Sequence, residues 1–203
     1  MERLFKMGEL IKMVVVLTIL AVLSGGMLSG LRNATAARIE VQQLKFVKGP
    51  AIKAILKGVS NDPIKDRFAI KDGETERKVF VGKFDDKANT VVLESFGKGY
   101  GGDIGLMVAV NMEDDTIVGA GVTTHSETPG LGATAKDDPG FVSQFKGLPI
   151  EETFKVTNDG GKVNAMSGAT ITSRAVCAAA TEAGSIYQKL KPQLSEKLKE
   201  FNK

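Results

Sequence analysis

The sequence has few of the side chains that bind metals or form disulfides. Cys177 is the one cysteine and His125 the one histidine among 203 residues. A single cysteine cannot form an internal disulfide or a dithiol redox pair. With one histidine beside it, the chain lacks the ligands for a transition-metal site or an iron–sulfur cluster. We therefore predict no metal ligand and no catalytic triad, and any redox function requires an organic cofactor.

Stacking aromatic side chains and an excess of one charge are also missing. Tryptophan is absent, tyrosine occurs twice, and the net charge is +3 with basic and acidic residues interspersed. A nucleic-acid-binding surface usually shows a basic stripe, and single-strand binders add stacking aromatics, so nucleic acid is not a predicted partner. The length and the 42% hydrophobic content predict one globular domain with an appendage.

The appendage is an uncharged apolar stretch at residues 13–31, near the beginning of the sequence. Its length is sufficient to cross the hydrocarbon core of a bilayer, which predicts one transmembrane helix after a short N-terminal segment, residues 1–12. The alternative is a cleavable signal peptide with its small-residue cleavage site at Ala34-Thr35-Ala36. Basic residues flank the stretch on both sides, so the charge pattern leaves the orientation open.

The segment after the apolar stretch connects it to the predicted domain. Helical spacing predicts connector helices in residues 32–60, with a break at Gly49-Pro50. The domain then occupies residues 61–203. It begins with the polar segment 61–76, where two turn signals predict a surface loop.

The domain is predicted to have an α+β fold of mainly antiparallel strands flanked by helices. Four β-branched runs predict the strands, at residues 78–84, 90–96, 105–112 and 116–123. The glycine-rich link 97–103 lacks the spacing of a nucleotide-binding loop and is interpreted as a hairpin loop that forms a rim of the pocket. An apolar face predicts a last core helix that ends before Pro192, with the members Val176, Cys177, Ala180, Ala183, Ile186, Tyr187 and Leu190.

The small, hydroxyl-rich stretch before this last helix is a candidate anion site. Gly168 allows a sharp turn, and Thr172 is predicted to cap a helix that begins at Ser173. Unpaired amides at a helix N-terminus favour a phosphate, and the hydroxyls of Ser167, Thr170 and Thr172 lie nearby in sequence. The alternative is that the stretch is only a turn and a helix cap.

A second loop, residues 124–133, is dense in polar side chains and glycine. The dipeptide Pro129-Gly130 predicts a sharp turn that pushes Leu131 forward as an apolar face, and Gly132 permits close approach of a flat ligand. Glu127 and Thr128 are then expected to hydrogen-bond the edge of an aromatic ligand. Shortly after this loop, Asp138 is a predicted N-cap and Pro139 the predicted first residue of a short helix. Residues 141–145 are predicted to form a helical turn that packs over the loop.

The two stretches together resemble a known family. His125-Ser126-Glu127-Thr128-Pro129-Gly130-Leu131-Gly132 followed by Ser167-Gly168-Ala169-Thr170 is similar to the FMN-binding domain of the G subunit of the Rnf electron-transport complex. The C subunit of the sodium-pumping NADH:quinone reductase is the sister family. The resemblance covers the whole chain in order, from the N-terminal membrane helix to the C-terminal helix.

The resemblance implies a flavin held by a covalent bond. A separate flavin transferase splits FAD and joins FMN, through its phosphate, to the threonine of the S-G-A-T motif, which is Thr170 here. The predicted cofactor site comprises Thr170 together with Ser167, Gly168, Ala169, Thr172, His125, Glu127, Thr128, Gly130, Leu131 and Gly132.

The resemblance also implies a place in the cell. The chain would cross the inner (plasma) membrane once, in contact with lipid, with a short cytoplasmic N-terminus at residues 1–12 and its C-terminal domain on the outer side. It would carry electrons among the membrane and cytoplasmic subunits of an Rnf complex, which couples electron transfer between ferredoxin and NAD to ion translocation. Two alternatives remain open: an exported covalent flavoprotein that reduces an external acceptor by itself, and a flavin-free assembly or scaffold protein.

Overall fold

A computed structural model describes the backbone of residues 2–202 and the side chains from Gly8 onward. The chain divides into two compact units between Gln43 and Leu44. The first unit is one helix, α1, Glu2–Gln43. Residue 1 of the predicted N-terminal segment 1–12 lies outside the described residues, and the rest of that segment forms the first turns of α1.

Helix α1 contains the apolar stretch at residues 13–31. Its most apolar 18-residue window has a mean hydropathy of 2.2, and none of that window is buried. The hydroxyls of Thr18 and Thr35 each donate to the carbonyl four residues earlier, at 2.8 Å, so their polarity is satisfied within the helix. By length and composition this helix can cross a membrane, although a signal sequence near an N-terminus has the same properties.

The second unit begins with two short helical segments. A π-helical turn, Leu44–Lys48, leads directly into α2, Gly49–Ile55. The second short helix predicted at Gly49-Pro50 is therefore present, with Pro50 in its first turn, although no non-helical residue separates it from the π-helical turn. A Cβ on Gly49 would lie 2.6 Å from the carbonyl oxygen of Leu44, so glycine is required where the π-helical turn passes into α2.

A five-stranded antiparallel sheet follows, in which each strand pairs with the next along the chain. The four predicted strands are confirmed, and a fifth precedes them. The bounds are β1 Arg67–Asp72, β2 Thr75–Phe84, β3 Lys87–Lys98, β4 Asp103–Asn111 and β5 Thr116–Val122.

The strand β1 corrects the surface loop predicted for residues 61–76. It is an edge strand that pairs only with β2 among the described strands, from Arg67 opposite Phe80 to Asp72 opposite Thr75. Within it only Ile70 is buried, while Phe68 and Asp72 are half-buried and the other three residues are exposed. The apolar residues Phe68, Ala69 and Ile70 are consecutive, so the sequence shows no alternating apolar pattern and the signal for a strand is lost.

The last helix, α5, packs against one face of the sheet. It spans Thr170–Phe201, and all seven residues of its predicted apolar face are buried. The predicted end before Pro192 is wrong, since the helix continues and buries Leu194 and Leu198. Burial of two leucines offsets the backbone hydrogen bond that a proline removes.

The crossing of β3 and α5 leaves no room for a side chain at Gly97. A Cβ there would lie 1.9 Å from the carbonyl oxygen of Ala175 and 3.1 Å from the amide nitrogen of Ala179. Both neighbours are helix backbone, which cannot move alone. This contact fixes the beginning of α5 against the end of β3.

The opposite face of the sheet is covered by α2. Its core contains Ile52 and Leu56 from the helical segment, and Phe80, Val92, Met107 and Ala109 from the sheet. Lys48 pairs with Glu94 on this face, with a nitrogen-to-oxygen distance of 2.7 Å. The α+β architecture is therefore a sheet between one long helix and one short helix.

Short helices connect β5 to α5. They are α3, Thr134–Asp137, α4, Pro139–Ser143, and a 3-10 turn, Thr157–Asp159. The predicted start of α4 is confirmed, because the Asp138 carboxylate accepts from the amide of Gly140 at 2.8 Å and Pro139 begins the helix.

Substitution of Gly97 by alanine tests the close crossing. Gly97→Ala is expected to lower the free energy of unfolding by roughly 1–3 kcal/mol, because overpacking against backbone forces the helix away from the strand. Gly82→Ala is the matched control, since a Cβ there would first meet movable Leu56 methyl groups at 3.2 Å. Denaturant titration of the full chain in detergent micelles measures both. Equal losses in the two variants would contradict a tight crossing at Gly97.

Candidate functional site

The two predicted motifs meet in one cleft of about 550 Å³. The loop after β5 forms one wall, and the turn before α5 forms the other. The two walls are joined by the hydrogen bond from the Thr172 hydroxyl to Glu127. Leu131 also lies close to Gly168, because a Cβ built on that glycine would be 3.2 Å from the Leu131 side chain. The lining residues are Tyr100, Glu127, Thr128, Leu131, Gly132, Gly168, Ala169, Thr170, Ile171 and Thr172.

Most of the predicted site residues line this cleft, and three do not. Ser167 is exposed outside it, Gly130 supplies the turn with a φ of +75°, and His125 supports the loop from behind. The ring nitrogen Nδ1 of His125 accepts the amide proton of Glu127 at 3.3 Å. Two lining residues, Tyr100 and Ile171, were absent from the predicted set, although both stand inside or beside stretches that the sequence patterns indicated.

The carboxylate of Glu127 joins three segments of the site. It is buried, and it accepts the amide proton of Gly101 at 2.8 Å and the hydroxyl proton of Thr172. Gly132 packs against the same group, since a Cβ there would lie 2.5 Å from both Glu127 Oε2 and Thr172 Oγ1. Glu127 therefore holds the loop after β3, the loop after β5 and the first turn of α5 together, and both its oxygens have partners inside the protein.

The beginning of α5 differs from the sequence prediction. The helix starts at Thr170, and its N-cap position, Ala169, has no side-chain cap. Thr172 does not cap the helix, because its hydroxyl donates to Glu127. The first amide that reaches a carbonyl is that of Ser173, which donates to Ala169 at 2.9 Å. The amides of the first turn thus open toward the cleft, as an anion would require.

Hydrogen bonding distinguishes the hydroxyls of this turn from one another. Thr172 is 2% exposed and donates to Glu127, while Ser173 is 0% exposed and donates to the Ala169 carbonyl at 3.0 Å. The Ser173 oxygen also accepts from the amide of Met166 at 3.0 Å. Thr170 is partly exposed, lines the cleft, and makes no side-chain hydrogen bond with any described residue. Among the hydroxyls in the first turn of α5, that of Thr170 is the one left free inside the cleft.

The character of the cleft suits a flat aromatic ligand that carries a phosphate. Three large apolar side chains, Tyr100, Leu131 and Ile171, are exposed around it and offer apolar surface. The helix N-terminus beside Thr170 supplies amide donors for a phosphate. The residues present therefore fit FMN.

The single cysteine lies outside the main cleft. Cys177 is buried further along α5, at the wall of a neighbouring cleft of about 430 Å³. Burial raises the pKa of its thiol to about 11, and the Asp159 carboxylate adds to the rise. The thiol is therefore protonated and poorly reactive at neutral pH.

Comparison with known proteins supports an FMN-binding domain in this chain. A family model described as an FMN-binding domain matches residues 99–185. The G subunit of the ion-translocating oxidoreductase complex of Methanosarcina acetivorans is 34% identical over 171 residues, which cover 83% of this chain and 89% of that protein. The protein of the same name from Escherichia coli strain K12 is 39% identical over 132 residues, 61% of this chain and 63% of that protein.

Two solved structures share the fold. Shewanella oneidensis NqrC superposes with a TM-score of 0.51 at 28% identity, over 68% of this chain and 72% of that one. The C subunit of the Na⁺-translocating NADH-quinone reductase from Parabacteroides distasonis gives a TM-score of 0.57 at 23% identity, over 75% of this chain and 95% of that one. On the strength of the long alignment with the Methanosarcina protein, the matching domain model and these shared folds, the chain belongs to the family of the G subunit of the ion-translocating oxidoreductase complex.

Proposed function

We propose that this chain carries FMN bound covalently to Thr170 and that it relays electrons in a complex that couples electron transfer between ferredoxin and NAD to ion translocation. The observation that supports Thr170 as the attachment site is the difference in burial and hydrogen bonding among the hydroxyl groups at the start of α5. Thr172 and Ser173 are buried and hydrogen-bonded, whereas the Thr170 hydroxyl is free in the cleft. A flavin transferase would form the bond between Thr170 Oγ and the FMN phosphorus of FAD, with AMP as the leaving group.

The residues of the cleft have distinct tasks in this proposal. The first amides of α5 would face the phosphate and compensate its charge. Leu131 and Ile171, which line the cleft, would contact the apolar ring system, and Thr128 would supply a hydroxyl at the rim. Glu127 keeps these walls in place through Gly101 and Thr172. Bound FMN itself supplies the centre that accepts and returns electrons.

A covalent tether is physically reasonable for such a relay. The affinity of a protein for a flavin differs between oxidation states, and a cofactor lost on the outer side of the membrane would be diluted away. We place the domain on that outer side, with α1 as the single retained membrane span. The partners would be the other subunits of the complex and, during maturation, the flavin transferase.

A pair of threonine variants tests the attachment. The full chain is co-expressed with its flavin transferase, and intact mass and in-gel flavin fluorescence after denaturation are measured. The wild type is expected to gain one FMN less one water, and Thr170→Ala to gain nothing. Thr172→Ala should keep the flavin but lose stability by roughly 1–3 kcal/mol, because the buried Glu127 carboxylate loses a donor.

The same variants test the relay in membranes that contain the whole complex. Ferredoxin-dependent reduction of NAD is expected to fall to background in Thr170→Ala and to persist in Thr172→Ala. An unmodified wild-type chain would contradict the proposal and favour a flavin-free scaffold. A fluorescent Thr170→Ala variant would move the bond to another hydroxyl.

The orientation is tested with an introduced cysteine. Glu113→Cys places a thiol on the exposed turn between β4 and β5, while Cys177 stays buried with a pKa of about 11 and provides a silent background. A membrane-impermeant maleimide added to intact spheroplasts is expected to label Glu113→Cys and to leave the wild type unlabelled. Labelling that requires lysis would place the domain on the cytoplasmic side and overturn the assignment.

A further inference from the structure

The loop between β3 and β4 holds an exposed aromatic side chain at the mouth of the cleft. Tyr100 is 76% exposed, although it lies beside two other apolar side chains of the same cleft, Leu131 and Ile171. An aromatic side chain offers about 150–250 Å² of contact surface, which this position leaves in water. Three apolar groups from three separate segments thus line the same cleft as the free Thr170 hydroxyl.

The backbone that carries Tyr100 is held in place by its contacts. The amide of Gly99 donates to the carbonyl of Gly102 at 2.8 Å, and the amide of Gly101 donates to Glu127 at 2.8 Å. The glycines on either side are required by close packing. A Cβ on Gly99 would lie 2.5 Å from Glu127 Oε1, and one on Gly101 would lie 2.1 Å from the Ser126 carbonyl oxygen.

We propose that Tyr100 covers one face of the flavin ring attached at Thr170, and that Glu127 is the positioning residue that holds Tyr100 there. The inference rests on the proposed attachment at Thr170. Because Glu127 binds both the Tyr100 loop and Thr172 in the first turn of α5, it fixes the distance between the aromatic wall and the attachment point. Because the loop backbone is already held in place, less ordering is required for Tyr100 to cover a ligand.

Collisional quenching of flavin emission by iodide measures this cover. Tyr100→Ala, Tyr100→Phe and the wild type are each prepared with attached flavin, and intact mass confirms the modification in every sample. Most of the Tyr100 side chain lies in solvent, so its removal is expected to leave the fold intact. The bimolecular quenching constant, which is the Stern–Volmer constant divided by the emission lifetime of the same sample without iodide, corrects for quenching by the tyrosine itself. It is expected to rise roughly 2-fold in Tyr100→Ala, because one of the two ring faces opens to iodide, and to stay at the wild-type value in Tyr100→Phe, whose ring still covers that face. Phe96→Ala is the matched control, because Phe96 is exposed on β3 but does not line the cleft.

The role of Glu127 is tested by combining a Glu127 variant with Tyr100→Ala and comparing the single and double variants. Glu127→Met keeps most of the length of the side chain but removes both carboxylate oxygens, so the hydrogen bonds with Gly101 and Thr172 are both lost. Its quenching constant should rise in the wild-type background and should not rise further in the Tyr100→Ala background, since it acts through Tyr100. Additive effects would contradict the positioning role.

The outcomes separate this inference from the proposed function. A flavin-carrying Tyr100→Ala chain with a wild-type quenching constant would overturn the cover by Tyr100 while leaving the attachment at Thr170 intact. A wild-type chain without flavin would contradict both, and the mass measurement alone identifies that case.

Discussion

The site depends on one buried carboxylate. Glu127 is stabilised by two hydrogen-bond donors, the amide of Gly101 and the hydroxyl of Thr172. A buried carboxylate without such donors would be costly, so the three segments that meet at it are held together by its need for hydrogen bonds. Gly132 and Gly99 follow from the same constraint, because a methyl group at either position would collide with the carboxylate. The hydrogen bonds that the Glu127 carboxylate accepts therefore determine the shape of the cleft.

The same hydrogen bonds distinguish the chemistry of neighbouring hydroxyls. Thr172 is committed to Glu127 and Ser173 to the carbonyl of Ala169, and both are buried. Thr170 is left as the hydroxyl that faces the cleft at the N-terminus of a 32-residue helix. A phosphate attached there would meet the positive end of that helix. Under the proposed attachment, this subunit of an ion-translocating oxidoreductase would hold its electron carrier at a defined point of the fold.

The sequence predicted the elements of this fold whose buried side chains follow a strand or helix pattern. The strands β2 to β5 and the apolar face of α5 were recognisable from their β-branched runs and from helical spacing. Strand β1 was not, since Ile70 is its one buried side chain. The continuation of α5 past Pro192 depends on tertiary burial of Leu194 and Leu198, which local propensity does not show. In the site, the motifs indicated the cleft, but the contact of Gly101 with Glu127, 26 residues away, and hence the place of Tyr100, required the folded chain.

The most direct test of the central claim is to locate the flavin on the peptide chain. Trypsin cuts after Lys162 and Arg174, and the fragment between these cuts contains Ser167, Thr170, Thr172 and Ser173 together. Tandem mass spectrometry of this fragment from the mature protein, with fragmentation that preserves the phosphoester, assigns the added mass to one residue. The account predicts that the FMN adduct lies on Thr170 alone. An adduct on Thr172 or Ser173 would contradict it, because these hydroxyls would then have to leave their buried hydrogen bonds to react.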